Sequence, residues 1–90
     1  MNKLILLSKA KSDFGGIYYY HKSFSLNSAN KIKTELRDDI KTLKKFPKLG
    51  IEHKNNFRKL PCGRYLILYK IINNSVIIHR IIDTKMNFDF

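Results

Sequence analysis

One cysteine, no tryptophan and only seven acidic residues in a chain of ninety narrow the possibilities before any motif is sought. With Cys62 alone, an internal disulfide and every multi-cysteine zinc site are excluded, and a reducing, cytoplasmic setting is the simplest reading. The three histidines, His21, His53 and His79, lack ligand spacing, so no metal site is expected and no cofactor is implied. Long apolar runs are absent as well. Leu4–Leu7 is too short for a signal peptide or a membrane span, and Lys9 and Lys11 end it, so neither export nor a membrane is indicated. No repeat, low-complexity tract or linker divides the chain, which reads as a single domain over residues 1–90.

What the chain has is positive charge. Eighteen Lys and Arg against seven Asp and Glu give +11, with +7 in residues 1–50 and +4 in residues 51–90. The excess is spread along the chain and not held in a tail. Such a field draws a small domain toward polyanions, whether nucleic acid, the ribosome or an acidic protein. A lysine-rich solvated surface produced by compositional bias would give the same numbers, so charge alone does not choose.

The patterning predicts an α+β fold. Lys3–Leu7 reads as a strand. Ser8 then caps a helix running to about Phe24, with Ala10, Phe14, Ile17, Tyr18 and His21 at helical spacing. Gly15-Gly16 weakens that helix by about 1 kcal/mol per glycine unless close backbone packing requires the pair. A second helix, capped by Asn27 or Ser28, carries the apolar stripe Ala29, Ile32, Leu36, Ile40 and Leu43 and ends at Pro47 and Gly50. Beyond Gly50 the period shortens. Phe57–Leu60 ends at Pro61. Arg64–Ile72 alternates, with Tyr65, Ile67, Tyr69 and Ile71 on one face and Arg64, Leu66, Leu68 and Lys70 on the other. Asn73-Asn74 marks a two-residue hairpin, and Val76–Ile82, apolar on both faces, reads as a central strand. The order is β-α-α-β-β-β, a helical hairpin on one face of a small, mainly antiparallel sheet.

These pieces in this order resemble the RelE/ParE superfamily of toxins from type II toxin–antitoxin systems. The likeness lies in Leu7-Ser8-Lys9-Ala10 with Asp13-Phe14 and Ile17–Tyr20, and in Ala29–Leu43 with Phe46-Pro47 and Gly50. It continues through Arg58–Pro61 with Gly63–Tyr69, and Val76–Ile82. The resemblance implies one of two activities on one fold. RelE-like members cut mRNA on the ribosome; ParE-like members inhibit DNA gyrase without performing chemistry. Both are neutralised by an antitoxin with an acidic or amphipathic C-terminal segment.

The residues favour the second branch. RNA cleavage needs groups that deprotonate the 2′-OH, stabilise the phosphorane and protonate the leaving oxygen. Where the RelE pattern has a catalytic Arg this chain has Leu66, the Arg after the last strand falls on Met86, and no Tyr follows Tyr69. A rearranged nuclease site would have to use Arg58, Lys59, Arg64 and Lys85. ParE-like chains often end the last strand with His-x-Arg-Met-Asp. Here Asp83-Thr84-Lys85-Met86-Asn87 keeps the charge and the Met but departs at Asp83 and Asn87. The expectation is therefore a gyrase-inhibiting toxin with no catalytic residues, the ribosome and mRNA being the alternative target and a non-toxic basic binding module a third reading. Arg64, Arg80, Asp83, Lys85 and Met86 are the target-binding candidates, and Tyr19, Tyr20, Phe88 and Phe90 the antitoxin-binding ones. The structural readings beside these are a hairpin-mouth Arg64, an Arg80 paired with Asp13 or Asp83, and Tyr65 and Tyr69 in the core. Cys62, placed in a turn near Lys59 and Arg64, would have a lowered pKa there, without the neighbours nucleophilic catalysis needs.

Overall fold

The computed structural model describes residues 3–85. Their elements are β1 (Lys3–Leu6), α1 (Ser8–Lys22), α2 (Leu26–Lys45), β2 (Ile51–Glu52), β3 (Arg58–Cys62), β4 (Tyr65–Ile72) and β5 (Ser75–Asp83), with short 3-10 turns at Pro47–Leu49 and Lys54–Asn56. The expected order holds, with one strand more than the pattern showed. Two-residue β2 has no periodicity to read, and it exists only because it pairs with Arg58 and Lys59 of β3. The sheet order is β1-β5-β4-β3-β2, with β1 parallel to β5 and the other pairs antiparallel. Apolar on both faces, β5 sits inside the sheet between β1 and β4.

Two corrections concern the helix starts. Ser8 is the first residue of α1, whose N-cap is Leu7 and carries no side-chain cap bond. For α2 the cap is Ser25, ahead of both expected residues. Its extended backbone (φ −162°, ψ 127°) lets the hydroxyl accept from the Ser28 amide at 3.2 Å. Helix α1 runs unbroken through Gly15-Gly16, and a Cβ at either would meet nothing within 4 Å, so close packing does not explain the pair.

The stripe on α2 behaves as its spacing requires. Ala29, Leu36, Ile40 and Leu43 are buried, and the last three join Ala10 of α1 in packing on Tyr65, Ile67, Tyr69, Val76, Ile78 and Ile81. Each large side chain so buried contributes about 1.5–3 kcal/mol. Tyr65 and Tyr69 are core residues as expected, at 2% and 0% exposure.

Two tight turns fix the strand register. Asn73 and Asn74 both take positive φ, 47° and 64°, which suits a two-residue hairpin between β4 and β5. Between β3 and β4 the loop is Gly63-Arg64, with Gly63 at φ 58°. Arg64 is thus a turn residue and not part of the alternating strand. Strand β3 continues through Pro61 to Cys62. An open outer side beyond β2, which pairs only with Arg58 and Lys59, tolerates the missing N–H.

The exit from α2 is tied to the sheet by one hydroxyl. Tyr69 donates to the Pro47 carbonyl at 2.6 Å and accepts from the Gly50 amide at 2.8 Å. Arg58 donates to the Gly50 carbonyl at 2.8 Å. A Cβ on Gly50 would lie 2.5 Å from the Tyr69 hydroxyl, so glycine is required here by close approach.

Candidate functional site

The site arises where β1 stops. Its pairing with β5 ends at Leu6–Ile78, Leu7 donates to the Ile78 carbonyl, and the chain turns into α1. Past Ile78, β5 therefore loses its neighbour on that side, and buried backbone donors need other partners. Asp13 of α1 supplies one. Its carboxylate accepts from the Ile81 amide at 3.0 Å and from Arg80 at 2.7 Å (Nε) and 3.1 Å (Nη2). Of the two carboxylates the sequence offered Arg80, the structure uses Asp13. Both side chains are mostly buried, so the pair is a fork-to-fork contact with little water between.

The second pair lies at the end of β5. Arg64 donates to Asp83 through Nε at 3.1 Å and again through Nη2. The Arg64 carbonyl accepts from the Thr84 amide at 2.9 Å and its hydroxyl at 2.6 Å, which clamps the Gly63-Arg64 turn onto the strand end. Asp83 also accepts from the Lys85 amide at 2.9 Å. The Arg64 guanidinium sits 5.5 Å from the Tyr20 ring centre and 5.4 Å from that of Tyr65, within cation–π reach of both. Behind it, His21 Nε2 meets the Tyr65 hydroxyl at 2.7 Å.

A groove of about 420 Å³ runs between α1 and this half of β5, lined among others by Asp13, Gly16, Tyr20, Arg64, Arg80 and Asp83. Its charges hold one another. The guanidinium of Arg64 keeps the Asp83 carboxyl below the usual carboxylate range, and Asp83 and Asp13 in turn raise Arg64 and Arg80. Groups locked in their charged forms are suited to recognition more than to moving protons at neutral pH. Burial pushes the Tyr65 hydroxyl up as well.

The groove thus gathers three target-binding candidates, Arg64, Arg80 and Asp83, with Lys85 following at the turn and Tyr20 from the antitoxin-binding set. Tyr19, 69% exposed, packs its ring against Tyr18 and Lys22 instead of entering the groove. Met86, Phe88 and Phe90 lie outside the described residues. The alternative nuclease set is not brought together. Arg58 pairs with Tyr69 and Cys62 with Tyr65, which puts Arg58 and Arg64 at opposite ends of the β3–β4 hairpin, about 17 Å apart along the strand. There Arg58 bonds Glu52 at 3.3 Å as well as Gly50. Lys59 stands opposite Leu68, whose other partner is Arg80.

The lowered thiol pKa expected of Cys62 from its place near Lys59 and Arg64 is overturned. It ends β3, 5% exposed, and burial with the Asp39 carboxylate beside it pushes the thiol up to about 12. Sequence reasoning missed the bond from Asp13 to the Ile81 amide and the partnership of Arg64 with Asp83. Among the described residues no cluster of His, Cys, Asp or Glu could hold a metal ion, and no helix is long and apolar enough to cross a membrane.

Comparison with known proteins bears on this architecture directly. The profile of the family described as "ParE toxin of type II toxin-antitoxin system, parDE" matches residues 4–88. No curated protein matches the chain. Among solved structures, a chain of the chromosomal ParDE TA system from P. aeruginosa superposes with a TM-score of 0.80 at 20% identity, covering 90% of this chain and 94% of that one. A copper-bound mutant toxin from Helicobacter pylori superposes with a TM-score of 0.68 at 21% identity, over 98% of this chain and 100% of that one. At such identities the structures speak for the fold, while the profile covers nearly the whole sequence: the chain belongs to the ParE toxin family of type II toxin–antitoxin systems.

Proposed function

We propose that the protein is a single-domain cytoplasmic toxin that inhibits DNA gyrase and is kept silent by a cognate antitoxin. The observation that carries this reading is the family match over residues 4–88, joined to a fold whose groove of paired charges is suited to recognition. Gyrase is favoured over mRNA because the cations an RNA-cleaving site would need are dispersed. Arg58 serves the Gly50 carbonyl at one end of the β3–β4 hairpin, and Arg64 serves Asp83 at the other. In this reading Arg64, Arg80, Asp83 and Lys85, with Met86 following them, meet the target. Tyr19, Tyr20 and the aromatic tail residues Phe88 and Phe90 meet the antitoxin.

Induced expression without an antitoxin tests the proposal in cells. Growth arrest with loss of negative supercoiling in a reporter plasmid is the expected result. Arrest with intact supercoiling and new 5′ ends in a translated message, seen by primer extension, would transfer the assignment to the mRNA-cleaving branch. Unimpaired growth would leave a basic binding module.

A further inference from the structure

At the other end of the sheet, remote from the Arg64–Asp83 pair, a depression of about 530 Å³ gathers positive charge. Lys48 of the 3-10 turn, Arg58 of β3 and Lys70 of β4 line it, with Glu52 as its carboxylate. The three donors are not equivalent. Arg58 commits its guanidinium to the Gly50 carbonyl at 2.8 Å and to Glu52 at 3.3 Å. Among the described residues, Lys48 and Lys70 bond no carboxylate. Lys70 holds its ammonium 4.3 Å from the centre of the Phe57 ring, whose edge-on neighbour is His79. Burial lowers the His79 pKa, and the charge on Lys70 lowers it further. A field that reaches His79 is one that no nearby carboxylate has cancelled.

From this convergence we infer that the depression is a binding site for an organic diphosphate, of the kind a nucleoside diphosphate presents. Three cations and one acid leave two positive charges around a shared space, which suits a multiply charged anion. The donors that remain open select phosphate over carboxylate. A planar carboxylate is matched best by a guanidinium fork, and the fork of Arg58 is already engaged. The two ammonium groups act instead as point charges, which tetrahedral phosphate oxygens accept from any side. A compact ligand is selected over a nucleic-acid strand because the charge is gathered and not drawn out. Beyond Ile71 the adjoining depression is walled largely by Phe46, Pro47 and Leu49, a poor track for a phosphate backbone. Within the site, Phe57 and the exposed Ile72 offer an apolar wall to the organic part of the ligand. The site goes beyond the toxin reading and depends on neither gyrase nor an antitoxin.

The test is calorimetric titration of the full chain with metal-free ADP, pyrophosphate and inorganic phosphate at low ionic strength. ADP is expected to bind at one site, pyrophosphate more weakly and inorganic phosphate more weakly still. The double variant Lys48→Ala, Lys70→Met should weaken ADP binding by about tenfold or more, because two charge-assisted contacts are removed. Glu52→Gln removes the opposing charge and should tighten ADP by about twofold to fivefold, a gain that misfolding cannot mimic. Arg64→Ala, in the far groove, should leave ADP affinity unchanged. Absence of binding by both ADP and pyrophosphate would overturn the inference. So would ADP affinity indifferent to the lysine variant. A single-stranded RNA or an acidic peptide that displaces ADP and binds more tightly would overturn it too, since the depression would then serve a polymer. Growth on expression, which judges the toxin reading, bears on none of these outcomes.

Discussion

The two ends of the sheet use the same residue types to opposite ends. In the groove between α1 and β5, each arginine has a carboxylate: Arg80 has Asp13 and Arg64 has Asp83. At the β2–β4 end, Lys48, Arg58 and Lys70 line one depression whose carboxylate, among the described residues, is Glu52, bonded to Arg58. A net charge of +11 therefore does not locate a binding surface by itself. Paired cations shape the groove and hold α1 and the Gly63-Arg64 turn to β5, while the unneutralised ones generate the long-range attraction. The first kind of charge acts on stability and local geometry, the second on association.

Breaking the first kind should produce the largest effect. Asp13→Ala leaves the mostly buried Arg80 guanidinium without this carboxylate and the Ile81 amide without an acceptor, and is expected to cost about 3 kcal/mol in urea denaturation. A loss under about 0.5 kcal/mol would mean that the pair is not the tie between α1 and β5.

Next comes the support beneath the basic end. Gly50→Ala places a methyl 2.5 Å from the Tyr69 hydroxyl and 3.0 Å from the Lys59 carbonyl. Overpacking of this sort should cost about 1–3 kcal/mol, read as a lowered thermal midpoint. The same variant should weaken ADP binding at the basic depression, because Arg58 is positioned through the Gly50 carbonyl.

A smaller effect concerns the Arg64–Asp83 pair and its dependence on pH. The Asp83 carboxyl has its pKa depressed on folding, so its stabilisation is complete above the ordinary carboxylate value of about 4 and is lost as pH falls through the lower folded value. Asp83→Asn should cost at most about 1 kcal/mol at pH 7 and should flatten the acid limb of the stability curve below about pH 4. An unchanged acid limb would show that Asp83 does not supply it. Smallest of all is Lys48→Ala, expected to change stability by less than about 0.5 kcal/mol while weakening ADP binding most at low salt. Titrations over a range of ionic strength check it.

How much of this could be read in advance follows from the range of each interaction. The α2 stripe, the Asn73-Asn74 turn and the doubly apolar β5 are local patterns, and each became the element expected of it. Strand β2 carries no pattern and owes its existence to β3. Ser8 failed as a cap because a good capping residue is also acceptable in a first turn, and the choice depends on where β1 releases the chain. Asp13 is 68 positions from the amide it caps, and Lys48 and Lys70 meet only through the fold. Arg64, Arg80 and Asp83 were singled out as residue types near a strand end. Their assembly into one groove depends on the premature end of β1, which no periodicity announces.

The central claim, a gyrase-directed toxin whose recognition groove is distinct from its basic depression, is tested most directly by purified gyrase titrated with three forms of the protein in a supercoiling assay. The account predicts inhibition by the wild type, inhibition lost with Arg64→Ala and retained with Lys48→Glu. Full supercoiling at saturating wild-type protein would contradict it.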